Sequence, residues 1–215
     1  MIRLIKGAIP TRLQNHATAW TLELLAAIAA GKQTKELKKS KYNHPEIKAA
    51  LKQETHQKCA YCESNPMHVT FGDIEHIVPK SIQPQLAYDW NNLTLACDVC
   101  NTKKGDNEGF FDPYFTDPAD HFVFNGPMIR AKADRDDAKN TCIGLELNRA
   151  PLIEKRLEKL LDLQRRFFEI GATRNQILRR TLLTALEGYA NDPATEYKAC
   201  LATFFADLKA ESQAA

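Results

Sequence analysis

Apolar residues recur at helical spacing in several separate stretches of this 215-residue chain. Trp20, Leu24 and Ile28 fall every four residues and predict a helix over 15–30, with Asn15 as its N-cap and Gly31 as its stop. Residues 1–14 show no such period and are expected as an extended arm. Pro45 suits the first turn of a short helix over 45–56, with Ile47 and Leu51 inward. The Lys-rich stretch 32–43 between these helices reads as a loop or a frayed helix end.

From residue 57 the helical period disappears. Two short apolar runs, Val69–Phe71 and Ile74–Val78, predict a pair of strands, and a helix is expected to begin near Cys100. Residues 110–150 form a mixed, acidic connector interrupted by Pro113, Pro118 and Pro127. The helical period returns at Pro151, where Leu152, Leu157, Leu160, Leu161, Gln164 and Phe168 trace an inward stripe as far as Gly171. A second helix over 173–189 carries Ile177, Leu178, Thr181, Leu182, Leu186 and Tyr189 on one side. A third, capped by Asp192-Pro193, carries Tyr197, Leu201, Phe204, Phe205 and Leu208. These helices are expected to bundle against the central module or against a partner, the stripes serving mainly as core and one face left for an interface.

The pattern predicts an α+β, predominantly helical chain in four parts. These are an N-terminal arm with helices (1–56), a central core (57–109), the acidic connector (110–150) and a C-terminal helical region (151–215). Composition agrees with a globular protein, at 44% hydrophobic and 26% charged residues. No apolar run is long enough for a transmembrane helix, and MIRLIKGAIPTRLQ has no continuous apolar stretch of a secretory signal. A cytoplasmic protein without membrane contact is expected.

Net charge is only +2, so bulk charge does not announce a nucleic-acid partner. Its distribution says more. Segments 32–58 and 149–180 are each basic by five charges, and 106–137 is acidic by five. The basic segments either flank a phosphate-binding site or are solvated helix faces.

Six cysteines in a reducing compartment do not form a disulfide scaffold. Cys142 and Cys200 stand alone among apolar neighbours and read as small buried hydrophobes. The other four form two C-x-x-C units, Cys59-Ala-Tyr-Cys62 and Cys97-Asp-Val-Cys100, with 35 residues from Cys62 to Cys97. Each unit can turn two thiolates to one side, and two units complete a tetrahedral zinc site. No βαβ pattern surrounds them, so a redox pair is not expected. With four protein ligands the zinc has no open position and is structural. Metal binding then supplies folding free energy that a small module cannot draw from burial alone.

Between and after the cysteine pairs lie Asp73-Ile74-Glu75-His76-Ile77-Val78-Pro79-Lys80-Ser81, then Trp90-Asn91-Asn92-Leu93-Thr94-Leu95, then Asn101-Thr102-Lys103-Lys104-Gly105-Asp106. This stretch, about residues 57–107, resembles the HNH endonucleases of the ββα-metal superfamily, in the group with two zinc knuckles. His76, Asn92 and Asn101 stand at the three motif positions, Asn101 where His is often found. The resemblance implies His76 as general base, Glu75 and Asn101 as ligands of a catalytic Mg²⁺ or Mn²⁺, and Asn92 as a brace for the loop. Glu75 stands where the family usually has Asp, and Asp73 is a substitute ligand.

The chemistry suits phosphodiester hydrolysis. A neutral His takes a proton from water, and a hard cation on oxygen ligands neutralises charge on phosphate. Other uses of these residues stay open: Glu75 as a surface ion-pair partner, Asn101 as a helix N-cap. Lys80, Lys103 and Lys104 are either phosphate contacts or solvated, and Phe110 and Phe111 are expected in the core.

The flanks extend the likeness. Met1 to Gly7 with Pro10 and Leu13, Tyr88 ahead of Asn92-Leu93, and Ile143 to Arg149 before a long helix are similar to the PtuB-like HNH nuclease subunits of Septu and related retron-associated anti-phage systems. That implies nucleic acid as substrate, DNA first and RNA such as tRNA second, and an ABC/SMC-type ATPase as partner. The chain itself carries no Walker A loop. A zinc ribbon that only binds nucleic acid would not need His76, Asn92 and Asn101 together.

Overall fold

The computed structural model describes residues 1–32, 41–68 and 70–214. Most of the expected Lys-rich loop (33–40), and Val69 of the expected first strand, lie outside the described residues. Helix α1 is Thr11–Ala29, beginning earlier than the Asn15 cap suggested. Pro10 disfavours helical backbone at the residue before it, while its own carbonyl accepts the first helical bond, from Gln14 N at 2.9 Å. Helix α2 is Pro45–Glu54, with His44 Nδ1 accepting from Glu46 N and with Ile47 and Leu51 buried as expected.

The central sheet has two antiparallel strands, β1 (Asp73–His76) and β2 (Leu93–Ala96), paired Asp73 to Ala96 and His76 to Leu93. The strand expected over Val69–Phe71 is a correction: Phe71 lies outside β1 and is 80% exposed. The partner of β1 instead follows Asn92. Helix α3 (Asp98–Lys104) comes next, with Cys97 rather than Asn101 at its N-cap.

A hairpin, β3 (Phe122–Asn125) and β4 (Met128–Ala131), and helix α4 (Asp136–Gly144) occupy the acidic segment. Helices α5 (Ala150–Gly171), α6 (Gln176–Asn191) and α7 (Lys198–Ala214) pack on one another. None of the described helices is long and apolar enough to cross a membrane.

Two hydrophobic clusters divide the interior. One joins α1, α2 and the β1–β2 unit through Leu13, Trp20, Ile47, Leu51, Ile74 and Leu93. The other joins the cysteine knuckles to Phe111, the β3–β4 hairpin and the C-terminal helices. Strand β2 supplies Leu93 and Leu95 to the first and Ala96 to the second, so β1, β2 and α3 sit at the seam.

The stripe on α5 is rotated from its expected position. Leu152, Arg156, Leu160, Leu163 and Phe167 face inward, while Leu157, Leu161 and Phe168 are exposed. On that inward face stands Arg156, an unexpected core residue. Its guanidinium lies 5.6 Å from the Phe124 ring and 5.8 Å from Tyr197, and donates to the carbonyls of Leu147 and Pro127. On α6 only Leu186 and Ala190 are buried, so most of its expected inward face is outward. Tyr197, Leu201, Phe205 and Leu208 are buried as expected.

Candidate active site and zinc centre

The knuckles converge. The thiol sulfurs of Cys59, Cys62, Cys97 and Cys100 all lie within 4.8 Å of one another, and Cys62 Sγ is 3.8 Å from Cys97 Sγ. Tetrahedral zinc with bonds of about 2.3 Å has sulfur–sulfur edges of about 3.8 Å, so this donor set fits zinc. The first knuckle is locked to the sheet by Ala60 N donating to Leu95 O at 2.9 Å. Cys62 Sγ and Ser64 Oγ lie 3.3 Å apart, and Arg149 Nη2 reaches Cys100 Sγ at 3.7 Å. Such outer contacts stabilise thiolate and fix ligand orientation. Arg149 precedes α5, far from the cysteines in sequence, and no short-range signal marked it for this role. Of the remaining cysteines, Cys200 is buried as expected, whereas Cys142 is only half-buried at the core edge; burial pushes both thiols up.

Strand alternation sorts the motif residues onto two faces. Asp73 and Glu75 face α3, where Asn101 Nδ2 donates to Asp73 Oδ2 at 2.7 Å and Lys104 Nζ lies 2.8 Å from Glu75 Oε1. Residues two apart on the strand thus meet residues three apart on the helix. Ile74 and His76 alternate with these along the strand; His76 lies edge-on to the Tyr42 ring at 4.8 Å between centroids and borders the same cavity as Asp73, Glu75 and Asn101. Gly105, at φ 51° and ψ −133°, ends α3 in a conformation suited to glycine and lets the chain turn along the site.

His76 Nε2 lies 2.9 Å from Ala87 O. A carbonyl only accepts, so Nε2 carries the proton and Nδ1 keeps the lone pair. Burial holds His76 down at about 4, with Lys80 and Lys104 pushing the same way, so the ring is neutral near pH 7. Glu75 is raised to about 6 by burial, against the opposing pull of Lys104.

Asn92 makes three bonds across the intervening loop. Its Oδ1 accepts from Val78 N at 2.7 Å, and its Nδ2 donates to Val78 O at 2.9 Å and Leu86 O at 3.1 Å. Its own carbonyl accepts from Ile77 N.

Asp73, Glu75, His76 and Asn101 line one cavity of about 220 Å³, together with Tyr42, Lys80 and Asp106. Carboxylate and amide oxygens beside one neutral imidazole are the donor types a hard divalent cation takes, though among the described residues only the four cysteines converge into a ready metal cluster. Asn92 is buried and does not line this cavity. The lysines diverge. Lys80 is half-buried at the cavity, donating to Tyr42 Oη at 3.1 Å. Lys103 pairs with Glu146 at 2.7 Å. Lys104 corrects the expectation of a phosphate contact or a solvated residue: it is fully buried, its ammonium held by Glu75 and, at 2.8 Å, by His76 O. Phe111 is in the core and Phe110 packs against it, as expected.

Comparison with known proteins agrees with this geometry. Residues 59–107 match the family described as HNH endonuclease. The chain is 28% identical over 223 residues to a Septu protein PtuB of Bacillus thuringiensis, covering 94% of this chain and 81% of that protein. It is 24% identical over 226 residues to a Septu protein PtuB of Bacillus mycoides (strain KBAB4), covering 79% and 77% respectively. The chain therefore carries an HNH endonuclease domain, that of a metal-dependent hydrolase, and resembles Septu PtuB proteins over most of its length.

Proposed function

We propose that this chain is the nuclease effector of an anti-phage defence system, cleaving DNA in the cytoplasm under the control of an ABC/SMC-type ATPase subunit. The observation that carries the nuclease reading is the shared cavity of Asp73, Glu75, His76 and Asn101. The defence role and the partner are supported by the likeness to Septu PtuB proteins.

In this reading Glu75 and Asn101 hold Mg²⁺ or Mn²⁺, which when bound supplies positive charge to the scissile phosphate. His76 Nδ1 accepts the proton of the attacking water while Ala87 O holds the ring by Nε2. Asp73 accepts from the Asn101 amide and so turns its oxygen away from Asp73, and Lys104 holds Glu75 in place. Asn92 fixes the loop that carries Ala87, and Lys80 meets a phosphate oxygen at the cavity mouth. Structural zinc on the four cysteines keeps α3 against β1.

Plasmid nicking with Mg²⁺ or Mn²⁺, alone and with the ATPase, tests this reading. His76→Ala should lose at least about a hundredfold in rate, the scale of a general base. Equal cutting by that variant defeats the assignment. End-labelled RNA run beside DNA decides the substrate.

A further inference from the structure

The first two turns of α6 have no cover. Residues 176–182 are all exposed, including Ile177 at 82%, Leu178 at 48% and Leu182 at 38%. The other side of the same turns borders a groove of about 290 Å³ between α5, α6 and α7. Phe167, Leu183 and Phe205 lie along it, with Arg179 and Arg180 at its edge. Arg174, Arg179 and Arg180 have no acidic partner among the described residues. The acid at the groove, Glu187, is taken by Lys209 at 2.9 Å.

Apolar side chains exposed along a helix gain by burial against a matching surface. The charges select what covers them. A second copy would set the same arginines against one another, which like-charge repulsion disfavours. Nucleic acid would meet the arginines and leave Ile177, Leu178 and Leu182 wet. An amphipathic helix with acidic flanks satisfies both sets at once, its apolar anchors on α6 and its carboxylates on the arginines. None of the groove residues lines the catalytic cavity, so this occupant leaves the active site open.

We propose that the amino-terminal half of α6 is the docking surface for an acidic amphipathic helix of the ATPase subunit. The occupant rests on the partner assigned above; the surface does not.

The test mixes the full chain with the purified ATPase subunit of the same operon, by light scattering and by hydrogen exchange. Wild type forms a complex with amide protection over residues 174–186. Ile177→Glu with Leu182→Glu, and separately Arg179→Glu with Arg180→Glu, weaken binding at least tenfold. Both leave the melting temperature and the nicking rate of the free chain unchanged, since every substituted residue is exposed. A complex with unchanged affinity in both variants, or with protection elsewhere, overturns the surface and leaves the partnership standing. Absence of any wild-type complex overturns both. Wild-type self-association abolished by Ile177→Glu with Leu182→Glu overturns the choice of occupant in favour of a second copy.

Discussion

Replacing Lys104 by Met isolates what the buried ion pair does. The Lys104 side chain is 0% exposed and that of Glu75 8%, with 2.8 Å between their charged atoms. At an effective dielectric of about 20, that separation corresponds to roughly 6 kcal/mol of attraction, before the cost of desolvating both groups. Lys104→Met leaves the Glu75 carboxylate buried without its cation, and the His76 carbonyl without its donor. Removing one partner of a buried pair costs about 3–5 kcal/mol. For a chain of this size each kcal/mol is worth about 2–4 °C, so melting should fall on the order of 10 °C. The double variant Glu75→Met with Lys104→Met carries no stranded charge and should recover most of that loss. Both variants should fail to nick DNA, because neither keeps an oriented carboxylate at the cavity. Urea titration gives the stabilities and plasmid nicking the activities. If the single variant stays within about 1 kcal/mol of wild type, or the double is no more stable than the single, the pair is not the strut described here.

Three further outcomes follow from the same geometry. Below about pH 6 Glu75 takes a proton while His76, held at about 4, stays neutral. At subsaturating Mn²⁺ the nicking rate should therefore fall as pH falls through that region, and added Mn²⁺ should shift the fall to lower pH; a fall indifferent to Mn²⁺ contradicts the ligand role of Glu75. Arg149→Ala removes the guanidinium beside Cys100 and should speed zinc transfer to a chelator on the order of tenfold, read with a colorimetric zinc indicator. Asn92→Asp keeps an acceptor for Val78 N but sets carboxylate oxygen against the carbonyls of Val78 and Leu86, costing roughly 2 kcal/mol in urea and most of the nicking rate; wild-type behaviour in both assays would remove Asn92 as the brace.

The zinc cysteines were legible because metal spacing is local chemistry, and the cavity residues because the motif carries its own spacing. Asp73 was visible only as a substitute for Glu75, though its partner is Asn101 on the helix. The strand partner of β1 was missed because a four-residue strand has too little periodicity to stand out, and its signal lay in the register set by Asn92. The α5 stripe was misread for a physical reason. An arginine is excluded from an apolar pattern on sight, yet Arg156 is buried between two aromatic rings and two backbone carbonyls, on the face the helix turns inward. Leu157, Leu161 and Phe168, part of the expected stripe, are exposed instead.

Helix α3 spans only Asp98–Lys104, and Cys97 and Cys100 occupy its cap and first turn. A helix of two turns does not persist in water by itself. Closing the Cys59–Cys100 span around zinc therefore supports the places of Asn101 and Lys104 beside Asp73 and Glu75. On the function proposed above, zinc would act as a licence: without it the chain holds Asp73, Glu75, His76 and Asn101 but loses the staple that sets α3, and with it Asn101, against β1.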